Sequence, residues 1–186
     1  MRQPIIEIVP VGRVSANILQ KLPEAIAEKF SSREVKIATQ GLEHPDYAFS
    51  ARRKQYQAGP ILEELSRFDA EAERVLGVAD LDLFTPGLNF IFGQAQRGGP
   101  AAIIALARLH LEFWGQHANL QLLQERTIKE AVHELGHTYG LEHCNMRTCV
   151  MYFSNMLEET DRKSDQFCSQ HQAQLSRALL VLSNLE

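Results

Sequence analysis

The chain has 186 residues, enough for one domain of ordinary size with a sizeable core. Hydrophobic residues make up 45% and charged residues 23%, which excludes a disordered or collagen-like chain. A formal net charge of -4, from 19 Lys+Arg against 23 Asp+Glu, lacks the basic footprint of a nucleic-acid binder, and no apolar run reaches the roughly 18 residues of a membrane span.

In chain order, Ile5 to Val11 reads as a first strand. Glu7 inside this apolar run, with no small-residue cleavage site after it, argues against a signal peptide and for a cytoplasmic protein. Ser15 is placed to cap a helix whose apolar positions Ile18, Leu19, Leu22, Ile26 and Phe30 recur at helical spacing. Glu34 to Ala38 alternates as a strand does. The polar stretch from Gly41 to Tyr56, with Arg52-Arg53-Lys54, reads as a solvated connection without a role. From Pro60 a helix is expected on Ile61, Leu62, Leu65 and Phe68, running on towards Leu76 until Gly77 ends it. Strands follow at Asp80–Phe84, Asn89–Gly93 and Ala101–Leu109, with turns at Pro86-Gly87 and at Arg97-Gly98-Gly99-Pro100. A long helix spans Leu120 to Tyr139, with Ile128, Val132, Leu135 and Tyr139 on one face. The last helix runs from Cys168 to Leu182 on Leu175, Leu179 and Leu182. Strands alternating with helices before a strand-poor tail predict a single mixed α/β domain. Its N-terminal part, 1–140, carries the sheet and the long helix, and a small irregular C-terminal part, 141–186, ends in a helix.

The segment from His133 to His143, HELGHTYGLEH, carries the chemistry. His133 and His137 are four apart on a helix, so both imidazoles leave one face and can meet one ion. Gly140 is suited to the left-handed conformation that closes a helix, after which His143 can return to the same ion. Three nitrogen ligands leave a tetrahedral zinc with an open position, the arrangement of a catalytic site. Water bound there has its pKa lowered to about 7. Glu134, next to His133, is poorly placed to ligate but can act as general base on that water. The chemistry this spacing supports is hydrolysis by that zinc-bound water.

All three cysteines fall late in the chain, at 144, 149 and 168. An odd count cannot close a disulfide framework, and clustered cysteines in a reducing compartment point to metal. Cys144, Cys149, Cys168 and His171 could form a Cys₃His structural zinc site that fastens the tail to the last helix. A Cys144–Cys149 disulfide, buried free thiols and a solvated His171 are the competing readings.

HExxHxxGxxH is the metzincin signature, in which a methionine turn lies below the zinc, and Met151 is the candidate. HELGHTYGLEHC at 133–144, Cys149 and Met151 as C-x-M, the later Cys168 and LNFIFGQAQ at 88–96 together resemble the archaemetzincins. The resemblance implies a zincin-like fold with a twisted mixed β-sheet, backing helices and an active-site helix. It also implies a catalytic zinc on His133, His137 and His143 with Glu134 as base, and a second zinc on the cysteines, where His171 stands in place of the family's usual last cysteine. A peptide substrate would lie along the edge strand, expected here at Ala101–Leu109 with Gly98-Gly99 as its rim. Some metzincins place a tyrosine two residues after the methionine. Phe153 stands there in this chain, and Tyr152 is given no oxyanion role.

Two alternatives follow from the same residues. One is a zinc-binding interaction or regulatory module without peptidase activity. The other is an amidase or narrow aminopeptidase in which Glu142, Glu158 or Glu159 holds a free amine, although these carboxylates read first as surface charge. No nucleic-acid or membrane partner is expected, and the sequence leaves the oligomeric state open.

Overall fold

The computed structural model describes residues 3–31, 33–69 and 71–183, so the first two and last three positions of the expected domain lie outside the described residues. The elements in order are β1 (Ile5–Val11), α1 (Ala16–Leu19), α2 (Leu22–Lys29), β2 (Glu34–Ile37), β3 (Phe49–Ser50), β4 (Gln55–Gln57) and α3 (Ala58–Leu65). They continue with β5 (Arg74–Ala79), β6 (Leu83–Phe84), β7 (Gly93–Ala95), β8 (Ala101–Ala105), α4 (Leu120–Thr138), α5 (Leu157–Arg162) and α6 (Ser169–Ser183).

The architecture is a mixed α/β fold. Its main sheet has the order β2-β1-β5-β8-β7, parallel throughout except for β7, which runs antiparallel to β8 at one edge. A small second sheet, β3-β4-β6, lies apart from it. Alternation along the central strands sorts the core into two layers. Ile6, Ile8, Leu76, Val78, Ala102 and Ile104 face the layer that holds α2, α4 and the C-terminal residues Met151, Leu175 and Leu179. Val9, Val11, Val75, Ala79, Ile103 and Ala105 face the layer of α3.

The expected helix from Pro60 towards Leu76 is corrected. It ends at Leu65, and Val75 to Ala79 belongs to a central strand paired with β1 and β8. A strand buried on both faces shows a continuous apolar run that periodicity cannot separate from a buried helix. Gly77 does not end a helix; a Cβ there would lie 2.4 Å from Leu65 Cδ1, so its lack of side chain lets α3 pack on the sheet. The expected strand at Asp80–Phe84 is reduced to Leu83–Phe84, and that at Asn89–Gly93 is displaced to Gly93–Ala95. The Ala101–Leu109 strand stops at Ala105 and lies inside the sheet; the edge is β7. The helix after Ser15 is broken in two, and Ser15 makes no side-chain cap. The 49–57 strands and α5 had no counterpart in the sequence reading. Arg53, given no role there, donates to the carbonyls of Leu88 (2.9 Å) and Asn89 (2.8 Å) and pins that loop. Among the described residues no helix is long and apolar enough to cross a membrane.

Candidate metal centres

The Asn119 side chain caps α4 by accepting from the Leu122 N–H at 3.0 Å. At the other end Gly140, with φ of +83°, turns the chain back, and the carbonyls of Gly136 and His137 accept from the backbone of Leu141 and Gly140. The Gly98 N–H also donates to the His137 carbonyl, at 3.0 Å, so the expected rim sits on the end of this helix. In the last turns of α4, His133 and His137 are buried with ring centroids 4.7 Å apart.

Each ring is oriented by a backbone carbonyl: His133 Nδ1 donates to Val150 O at 2.8 Å, and His137 Nδ1 to Leu141 O at 2.7 Å. Those bonds place the protons on Nδ1 and leave both Nε2 lone pairs bare. The two Nε2 atoms are nevertheless 3.1 Å apart. Two acceptors at that distance repel unless a cation lies between them, and a tetrahedral zinc with about 2.05 Å bonds separates its nitrogens by about 3.3 Å. His143 joins them from the loop, and ligand atoms of the three residues lie within 4.8 Å of one another. Burial pushes His133 well below the ordinary imidazole range, lowers His137 to about 4 and lowers His143 too, which favours neutral imidazoles able to ligate an ion. The residues fit a zinc ion.

Glu134 is buried beside His133, and burial, with the neighbouring Glu130 carboxylate, raises its pKa well above the ordinary value. Its carboxylate lies against β7: a Cβ on Gly93 would be 2.5 Å from Glu134 Oε1 and Cγ. Gly93 is therefore a site residue that the sequence reading missed, because nothing in its neighbours marks a glycine that makes room for a distant side chain. Gly93→Ala should lower kcat/KM on the order of 10²-fold by displacing the carboxylate, with zinc content unchanged. An unchanged rate would show that the carboxylate has room to move.

Gly136 plays the same part below the helix. A Cβ there would lie 2.6 Å from Met151 Sδ, so the methionine expected at the turn packs directly under the turn of α4 that carries the histidines. The Met151 turn also supplies the Val150 carbonyl that orients His133.

A pocket of about 180 Å³ opens beside His133 and Glu134, walled by Phe90, Ile91, Phe92 and Phe153 with Glu130 among its lining. Glu130 accepts from Thr160 Oγ1 at 3.0 Å and faces Lys163 Nζ at 3.0 Å. Both side chains of this ion pair are buried, and the ammonium approaches at an angle that makes no hydrogen bond. Arg126, pairing with both oxygens of Asp161 at 2.7 Å, fastens α5 to α4 beside it. Lys163 also had no sequence signal.

The second cluster closes between the 144–149 loop and α6. Cys144 Sγ is 3.9 Å from Cys168 Sγ, and His171 Nδ1 is 3.1 Å from Cys168 Sγ and 3.9 Å from Cys149 Sγ. A tetrahedral zinc with about 2.3 Å bonds separates its sulfurs by about 3.8 Å, so this donor set fits zinc as well. All three cysteines are free thiols. Against its burial, hydrogen bonds, first that from the His171 backbone N–H, hold Cys168 down to about 6, which favours the thiolate, the form in which a cysteine can bind metal. His171, buried at 5% exposure, is no solvated surface residue.

Two of the three acidic residues considered as amine holders, Glu159 and Glu142, are otherwise engaged, and Glu158 is exposed. Glu159 caps α5 by accepting from Asn155 and Met156, and Glu142 pairs with Arg97 at 3.0 Å on the surface. Phe153 packs its ring 4.7 Å from that of His143, and Tyr152 sits in a backbone bridge with Cys144.

Residues 34–177 match the model of peptidase family M54. The archaemetzincin of Pyrococcus furiosus is 44% identical over 90% of both chains. The crystal structure of the archaemetzincin of Methanopyrus kandleri superposes with a TM-score of 0.85 at 39% identity over 96% of both chains. That of a zinc-dependent peptidase from Methanocorpusculum labreanum gives 0.83 at 30% identity, covering 91% of this chain and 99% of the other. A family match over most of the chain, with relatives of full-length coverage, settles the assignment: this chain belongs to peptidase family M54, the archaemetzincin zinc metallopeptidases.

Proposed function

We propose that the chain hydrolyses peptide bonds at a zinc held by His133, His137 and His143, with Glu134 as general base, and that Cys144, Cys149, Cys168 and His171 hold a second, structural zinc. The observation that carries this reading is the convergence of bare imidazole nitrogens beside a buried, proton-accepting carboxylate at the sheet's open edge. A zinc ion bound there would supply a Lewis acid for the substrate carbonyl and lower the pKa of a water molecule to about 7. Glu134 takes the proton of the attacking water and returns it to the leaving amine. Burial and the neighbouring Glu130 carboxylate raise its affinity for that proton.

The peptide would extend along β7, whose outer side is unpaired among the described residues and which runs past Glu134 at Gly93. A side chain next to the scissile bond would then enter the pocket between Phe92 and Phe153. The engagement of Glu142 and Glu159 elsewhere leaves the aminopeptidase alternative only the exposed Glu158 of the three carboxylates it named.

Zinc analysis with a peptide-mixture digest tests the reading. Wild type should carry two zincs per chain and His137→Ala one, and cleavage should vanish on chelation and return with added zinc. A wild-type protein with two zincs that cleaves nothing in a diverse mixture would favour the interaction-module reading instead.

A further inference from the structure

Residues 141–144, which leave α4 after Gly140, are shared alternately between the two clusters. The Leu141 carbonyl orients His137 and the His143 ring joins the histidine cluster; the Glu142 carbonyl is bonded by His171 Nε2 at 3.1 Å, and Cys144 Sγ joins the thiols. His133 and His137 each have a carbonyl that holds the ring. Among the described residues none hydrogen-bonds the ring of His143, which is exposed and touches only other rings, those of His133, His137 and Phe153. Its position therefore depends on its two chain neighbours, and both are anchored in the cysteine cluster.

We infer that His171 is a positioning residue for the histidine centre: its ring ties the Glu142 carbonyl to the cysteine cluster and so sets where His143 stands. An imidazole can do this because its two nitrogens face opposite ways. With Nε2–H donating to Glu142, Nδ1 is left bare among the thiols of Cys149 and Cys168. A cysteine at 171 could complete a four-thiolate site, but a thiolate has no second donor with which to hold residue 142. Hydrogen-bond partners that orient metal ligands are worth about 10–100-fold in metal affinity, and that is the size of effect expected here. The inference rests on the proposed zinc at the three histidines.

The test is a double-mutant cycle on zinc affinity, read by chelator competition on the full chain: wild type, His171→Cys, His143→Ala and the double variant. Wild type must first carry zinc that His137→Ala removes; if it does not, the peptidase-site reading itself fails, and this inference with it. Given that zinc, His171→Cys should weaken the histidine centre by about 10–100-fold. It should retain the second zinc, checked in the His137→Ala background. In the His143→Ala background the same substitution should change affinity by less than about 2-fold, because its path of action is gone. An effect below about 2-fold with His143 present, or an equal loss in both backgrounds, would overturn the inference while leaving the peptidase site intact. Release of the second zinc by His171→Cys would also overturn it, since tether and ligand would then be one function.

Discussion

Glu134→Gln should lower kcat by about 10²–10⁴-fold on any peptide that the wild type cleaves, while zinc content stays the same. The amide has nearly the shape of the carboxylate but accepts no proton, and the three imidazoles that would hold the ion are untouched. Stability should move the other way. Burial and the Glu130 carboxylate both disfavour a charge at Glu134, so a neutral amide there relieves repulsion. Thermal unfolding of the variant should lie at or above that of wild type, as expected where function keeps a costly group in place. Activity within a few-fold of wild type would exclude Glu134 as the base. Loss of activity together with loss of zinc would mean that the carboxylate supports the metal and not the proton transfer.

The second large effect is structural. Lys163→Met should destabilise the fold by about 3–5 kcal/mol, on the order of 10 °C in the unfolding midpoint, because it strands the Glu130 carboxylate in the core. Lys163 is fully buried, and among the described residues its ammonium meets Glu130 alone, without a hydrogen bond. Replacing both partners, as Lys163→Met with Glu130→Leu, should recover most of the loss, since an apolar pair needs no desolvation of charge. The remaining deficit is the Thr160 hydroxyl, which loses the oxygen that it donates to. If Lys163→Met alone unfolds with the wild-type midpoint, the pair contributes nothing and the attachment of α5 rests on Arg126–Asp161.

Much of the histidine centre was legible in the sequence because its geometry is local. Four residues make about one helical turn, so His133 and His137 share a face wherever α4 packs, and a glycine at 140 is enough to return the chain to His143. The Cys144, Cys149, Cys168 and His171 set was readable for a related reason, as residue types that cluster for few purposes other than metal. The 74–79 segment was not readable, since burial on both faces erases the period that separates strand from helix. Nor was the edge of the sheet. Ala101–Leu109 has the composition of an edge or a central strand alike, and only the pairing of β7 outside it decides that Gly93–Ala95 is the edge.

The sequence by itself thus marked out the candidate ligands, the candidate base and the helix that carries two of the three histidines. The tertiary structure decided what orients them: the carbonyls of Val150, Leu141 and Glu142, the gaps at Gly93 and Gly136, and the Lys163 charge behind Glu130. Each of these is a backbone group, an absent side chain or a lysine far away in the chain. Such features acquire chemical meaning only when packing brings them within about 3 Å of a partner, and no local pattern of residues encodes that approach.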